Sequence, residues 1–237
     1  MICLTGDVHH SSLGTNDQRY VDYPRDSEVK IAARFTRLVQ RHRLKATFYV
    51  TGKTLAEEWE DFQPACEAGE VEIGGHTYEG LPTNRLTTLL SRMRGVCPPS
   101  HGYRHGSRRK QRRDIVRTIQ IIKVQTGREV LSWRSHGLVR DRNTYALLAE
   151  CGVRLISDEI SRNKLTPERT PEGLLSHPIN VIPDHDHLLH AHRDRRFVKD
   201  AKKRGYGKDD FGSESYGIEQ WGEMVRERVV GIERAGG

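Results

Sequence analysis

Histidine and aspartate recur in this chain where short apolar runs end. Asp7-Val8-His9-His10 follows the run at residues 2–5, His76-Thr77-Tyr78 follows residues 71–73 and a Gly74-Gly75 pair, and Arg134-Ser135-His136 follows residues 130–133. Asp184-His185-Asp186-His187 follows residues 179–182. Imidazole and carboxylate are the ligand pair for zinc and similar divalent ions. One histidine after a strand is most often a hydrogen-bonded loop residue. Several at successive strand ends share a register that independent loop histidines have no reason to share, so a metal site is the first hypothesis.

The elements that must position these groups are legible as alternating apolar runs and helical periods. Residues 2–5, 46–50, 71–73, 130–133, 153–156 and 179–182 read as strands, each ending in glycine or polar residues. Between them, Asp26 or Ser27 caps a helix whose stripe is Ile31, Phe35, Leu38 and Val39, and residues 55–68 form a helix interrupted at Pro64. Asp114 is placed to cap a helix carrying Ile115, Ile119 and Ile122, Asn143 caps a short one with Leu147 and Leu148, and Ile218, Trp221, Val225, Val229 and Ile232 mark a last one. Strands alternating with helices predict a parallel α/β sheet, open or closed into a barrel. Polar clusters at one end of several strands favour the barrel, where catalytic groups gather at the C-terminal strand ends. The 237 residues suit one domain.

Other chemistries lack their signatures. There is no GxGxxG, no GxxxxGK[ST] and no GxSxG. Cys3, Cys66, Cys97 and Cys151 form no CxxC pair, which predicts reduced thiols rather than a disulfide framework or thiolate zinc site. No apolar run approaches a membrane span, and the first residues carry no secretory pattern, so the expected location is cytoplasmic. The net charge of +7 comes from one segment: Gly80 to Arg113 holds nine basic residues and no acid. Only Tyr103 interrupts it with an aromatic ring for base stacking, so nucleic acid is disfavoured as its partner. Trp59 and Trp221 are expected to pack rather than to bind sugar.

LTGDVHH, ATFYVTG, VEIGGHTY and SWRSHG, in this order over residues 1–190, resemble the polysaccharide deacetylase family. The resemblance implies a distorted (β/α) barrel over residues 1–237 and hydrolysis of an N-acetyl or related acyl bond with a divalent metal. Zinc is the first choice, with cobalt, manganese or nickel as alternatives. It also implies a catalytic base at Asp7, metal ligands at His9 and His76, and at Arg134 the arginine that orients the base through a charge-assisted hydrogen bond. Two departures stand out. The second histidine of the family's HxxxH motif falls on Gly80, so a replacement ligand is needed; His136 is favoured, with Asp184 and His185 as alternatives. The family's final motif, which holds an acid histidine, has no counterpart, so His187 or His190 is the expected proton donor and Asp184 and His185 are expected to contact substrate.

The leading expectation is thus a hydrolase of an N-acylated amino sugar or a related small molecule. The competing one is a barrel without turnover that binds an acidic glycan or lipid-linked sugar. Oligomeric state is not readable from the sequence.

Overall fold

The computed structural model describes residues 3–13, 27–80, 106–182 and 217–235, with positions 89, 90, 93, 195 and 199. Within them seven strands form one sheet: β1 (Leu4–Val8), β2 (Ala46–Val50), β3 (Val71–Gly75), β4 (Ser132–Trp133), β5 (Leu155–Ile156), β6 (Glu168–Arg169) and β7 (Leu175–Ser176). Their order is β1-β2-β3-β4-β5-β7-β6, parallel throughout except for the β6–β7 pair. Among the described residues no pairing joins β1 to β6. The expected mixed α/β architecture is present, with an unclosed, mostly parallel sheet.

Register makes this sheet a site as well as a scaffold. Val8, Val50, Gly75, Trp133, Ile156 and Ser176 lie side by side in one row across six strands. Successive residues of a strand point to opposite faces, so a row shares one face and the next row takes the other. Val8, Val50, Trp133 and Ile156 join Phe48 and Ile73 in the hydrophobic core, against Val29, Leu55, Phe62, Ile122, Leu147 and Leu148 from the helices. The opposite face carries Thr5, Asp7, Tyr49 and the polar residues that follow the row. Packing is tight enough to dictate glycine: a Cβ on Gly75 would lie 2.3 Å from the Trp133 ring.

The helices are α1 (Glu28–Arg41), α2 (Gly52–Glu57), α3 (Trp59–Glu67), α4 (Arg108–Thr126), α5 (Thr144–Glu150) and α6 (Ile218–Arg234). Ser27 Oγ caps α1 by accepting from Lys30 N at 3.3 Å, and Glu28 and Arg41 suit the dipole at the two ends. The buried face of α1 is Val29, Ala32, Thr36 and Val39; of the expected stripe only Val39 is inside, and Ile31, Phe35 and Leu38 are 39–49% exposed. Small side chains at 32 and 36 let the helix lie close to the sheet, and that selects the face. The helix expected over 55–68 is two, broken at Glu58, with Pro64 accommodated inside the second.

Ser107, not Asp114, caps α4, accepting from Lys110 N at 3.3 Å. Asp114 lies inside that helix and accepts from Tyr78 N at 3.1 Å, tying the loop after β3 to α4. No ladder forms over the strand expected at 179–182: Ile179 makes an isolated bridge to Ile160, and the sheet is extended instead by β7 and β6. Trp221 packs as expected, its Nε1 donating to the Ile182 carbonyl at 2.8 Å. Cys3, Cys66 and Cys151 are free thiols, and none of the described helices is long and apolar enough to cross a membrane.

Candidate metal and acyl-transfer site

Five backbone hydrogen bonds mark the row beyond the core. Thr51 N donates to Val8 O at 3.1 Å, His76 to Val50 at 3.1 Å, Arg134 to Gly75 at 3.0 Å, Ser157 to Trp133 at 3.0 Å and His177 to Ile156 at 2.8 Å. With His9 following Val8, the next row reads His9, Thr51, His76, Arg134, Ser157, His177. It faces away from the hydrophobic core at the C-terminal ends of the parallel strands, the usual place for ligands in α/β sheets.

His9, His76 and His136 converge. Each offers a ring nitrogen within 4.8 Å of those of the other two, and their ring centroids are 4.9, 5.0 and 5.1 Å apart. His76 Nδ1 lies 2.7 Å from the Arg134 carbonyl. A carbonyl only accepts, so the proton sits on Nδ1 and the lone pair on Nε2, which has no hydrogen-bond partner although it is buried. His9 Nδ1 lies 2.7 Å from the Glu28 carboxylate at the start of α1, which also accepts from His9 N at 2.8 Å. His9 Nε2 is likewise buried and unmatched. Buried polar atoms without partners are expensive. Three converging imidazoles, two of them oriented by oxygen acceptors on Nδ1, are a donor set that fits zinc or a similar divalent ion with one coordination position left open.

His136 arrives by a different route from the other two. It opens the 3-10 turn His136–Leu138, in which Gly137 and Leu138 have φ of 60° and 58°. A positive φ is costly for leucine, so something must hold the turn. Asp158, fully buried just beyond β5, does so by accepting from Ser135 N at 2.6 Å and Ser135 Oγ at 2.8 Å. Gly80, itself at φ +76°, leaves the space that His136 uses: a Cβ there would lie 3.3 Å from His136 Nε2. The His136 ring thus lies directly beside position 80.

Asp7 lies beside this cluster, its Oδ2 3.8 Å from His76 Nε2. Arg134 Nη1 donates to Asp7 Oδ1 at 2.9 Å; Nη2 reaches Thr5 Oγ1 and Ser157 Oγ at 2.8 Å each, and Nε reaches the Ser157 carbonyl at 3.0 Å. Burial alone would raise the Asp7 pKa, but Arg134, His76 and His9 overcome it and hold the carboxyl at about 2. Burial depresses His76 to about 4, with Asp7 opposing that shift. Burial also opposes charge on His9, yet Glu28 and Asp7 outweigh it and raise that pKa.

The chain therefore brings Asp7, His9, His76, Arg134 and His136 together. Asp184, His185 and His187, expected as substrate contacts and proton donor, lie outside the described residues, as does His190. Among the described residues His10 joins no metal-type cluster: its Nδ1 meets Thr51 Oγ1 at 3.0 Å, and burial lowers its pKa to about 4. Three residues of this arrangement were not foreseen. Glu28 and Asp158 read as ordinary helix-start and strand-end acids. His177 follows a strand of only two residues, and its one sequence signal is the Leu174-Leu175-Ser176 run bounded by Gly173 and Pro178.

No protein of curated function matches this sequence. Among solved structures, a candidate polysaccharide deacetylase from Mycobacterium smegmatis superposes with a TM-score of 0.62 at 19% identity, covering 99% of this chain and 74% of that one. The Puue allantoinase superposes with a TM-score of 0.55 at 14% identity, over 87% of this chain and 55% of that one. At these identities the likeness is one of fold. The polysaccharide deacetylase family model matches residues 22–156, more than half of the sequence. The chain belongs to the polysaccharide deacetylase family.

Proposed function

We propose that this protein is a metal-dependent hydrolase that removes an N-acetyl or related N-acyl group from an amino sugar. The observation that carries the reading is one arrangement: an Asp7 carboxylate kept ionised by Arg134, set against a convergent cluster of three imidazoles. His9, His76 and His136 would hold the ion, with zinc favoured by an all-imidazole donor set. Such an ion supplies Lewis acidity, polarising an acyl oxygen and acidifying water toward neutrality.

The side chains do the rest. Asp7, with a pKa of about 2, is fully deprotonated at neutral pH and oriented by the hydrogen bond from Arg134 Nη1, so it is ready to take a proton from attacking water. Arg134 is fixed in turn by Ser157 and Thr5, and its charge disfavours protonation of Asp7 before substrate binds. Glu28 on His9 and the Arg134 carbonyl on His76 fix which ring nitrogen faces the common point. The family assignment supports a carbohydrate substrate.

The test is hydrolysis of a panel of N-acetylated sugars by purified protein supplied with zinc or cobalt. The expected result is acetate release that is lost in Asp7→Asn and His76→Ala. Activity unchanged in both variants overturns the assignment, and binding of sugar without release by the metal-loaded protein favours a non-catalytic role.

A further inference from the structure

The net charge of +7 is carried by the segment from Gly80 to Arg113, and nothing in the chemistry so far uses it. Part of that segment is the start of α4, where Arg108, Arg109, Lys110, Arg112 and Arg113 are all exposed. The buried face of the helix is Gln111, Ile115, Thr118 and Ile122. Arg109, Arg112 and Arg113, spaced by three and four, share the opposite face.

These cations do not serve the helix. An α-helix carries partial positive charge at its N-terminus, so basic residues in the first turns destabilise it, and α4 has no acid in its first turn to offset them. They do not serve ion pairs either. Arg108 reaches the carboxylate of Glu150, whereas Arg109, Lys110, Arg112 and Arg113 make no salt bridge among the described residues.

The patch has a defined place in the fold. Asp114 on α4 accepts from Tyr78 N at 3.1 Å, and Arg117 donates to Tyr78 Oη at 2.8 Å with its guanidinium over the ring. Tyr78 follows His76 by two residues, so the basic turns of α4 stand at the end of the sheet that holds the imidazole cluster.

Apolar side chains accompany the charge. Leu89, Leu90 and Met93 are helical and 56%, 43% and 76% exposed, and spacings of one, three and four put them on one side of a helix. Arg92 and Arg94 adjoin Met93 in the sequence. A single exposed leucine means little. Three large apolar side chains in five residues, inside an acid-free and arginine-rich run, fit one kind of surface.

Three anionic partners would answer the charge. Nucleic acid is held by cations together with stacked aromatic rings, and Tyr103 is the one such ring in the segment. An acidic glycan offers hydroxyls and carboxylates, for which leucine and methionine do nothing. A bilayer with anionic headgroups meets both halves: each nearby Lys or Arg strengthens binding about 5-fold, and apolar side chains enter the boundary between headgroups and acyl chains.

We propose that this segment docks the protein on an anionic lipid surface, with Leu89, Leu90 and Met93 entering the boundary and Arg109, Arg112 and Arg113 lying against headgroup phosphates. Docking turns the end of the molecule that bears the imidazole cluster toward the bilayer. The contact is peripheral and reversible, and it requires no turnover.

The experiment is sedimentation of the full chain with vesicles of phosphatidylcholine alone and of phosphatidylcholine mixed with an equal part of phosphatidylglycerol, at low and high salt. Two variants accompany wild type, one with Arg109→Gln, Arg112→Gln and Arg113→Gln, the other with Leu89→Ser and Met93→Ser. The expected result is binding to the anionic vesicles only, weakened by salt, about 10²-fold weaker in the triple variant and roughly 10-fold weaker in the double one. Thermal unfolding is expected to be unchanged in the double variant and unchanged or raised in the triple one, which loses cations from a helix N-terminus; this separates lost docking from lost folding. Equal binding to both vesicles, no binding to either, or full binding by the double variant overturns the proposal. So does a preference for double-stranded DNA or for alginate when each competes with the vesicles.

Discussion

Replacing Gly80 by alanine tests whether the space beside that glycine matters to metal binding. Two effects are expected and they can be separated. At φ +76° an L-residue costs about 1–2 kcal/mol, which for a chain of this size lowers Tm by roughly 2–8 °C. The new methyl would also lie 3.3 Å from His136 Nε2 and 3.3 Å from Leu13 Cδ1, so the imidazole must yield by a few tenths of an ångström. Disturbing the orientation of a ligand typically weakens metal binding about 10- to 100-fold.

Gly127→Ala provides the control. Gly127 has φ +69° at the end of α4, and nothing lies within 4 Å of a Cβ placed there. It carries the same backbone strain without touching the site. Thermal unfolding in chelator reports the strain, and zinc affinity by competition with a chromogenic chelator reports the site. Both variants should lose stability, and Gly80→Ala alone should lose affinity. Equal zinc affinity in the two variants would refute the idea that His136 occupies the room left by Gly80.

Three further outcomes follow from the same geometry. Asp7 has a folded pKa of about 2 against 3.8 for the model carboxyl, so it contributes about 2 kcal/mol that is present above pH 3.8 and lost as pH falls toward 2; denaturant melts at pH 2 to 5 should show this slope in wild type and not in Asp7→Asn. Arg134→Lys replaces a fork that bonds Asp7, Thr5 and Ser157 by a single ammonium. A charged hydrogen bond is worth about 1.5–3 kcal/mol, so activity should fall roughly 10- to 150-fold while zinc stays bound; full activity in the lysine variant would remove the positioning role. Asp158→Ala strands the buried Ser135 N–H and releases the turn that presents His136, costing about 1–3 kcal/mol in chemical denaturation together with zinc affinity; a loss of stability alone would separate Asp158 from the site.

Much of this was legible in the sequence because the strands announce themselves where both faces are apolar. Residues 46–50 are read to the residue, and β3 is missed only by its terminal glycines. β1 is harder: its inward side chains are Thr5 and Asp7, so its apolar signal stops at Thr5 although the ladder runs to Val8. A polar interior shortens the visible strand at the place where the chemistry begins. β7 and β6 carry two residues each, one of them the exposed pair Glu168–Arg169, and hydropathy offers nothing there to read.

The candidate site shows the same division. Asp7, His9, His76 and Arg134 stand at strand ends and can be named from spacing and family likeness. His136 becomes a firm member only when Gly80 is seen to border it, a relation between loops that no local pattern contains. Glu28 and Asp158 act through two hydrogen bonds each, across 19 and 23 residues of chain, and His177 needs the strand register to be placed at all.

Because oily packing and reactive groups alternate along the same strands, the two cannot vary independently. One residue added to or removed from β1 or β3 would turn every later side chain of that strand through the sheet, sending Asp7 or His76 among the leucines and presenting valine to the polar face. Lesions of reading-frame length within these strands are therefore doubly destructive, and room for evolutionary insertion is confined to segments outside the paired rows.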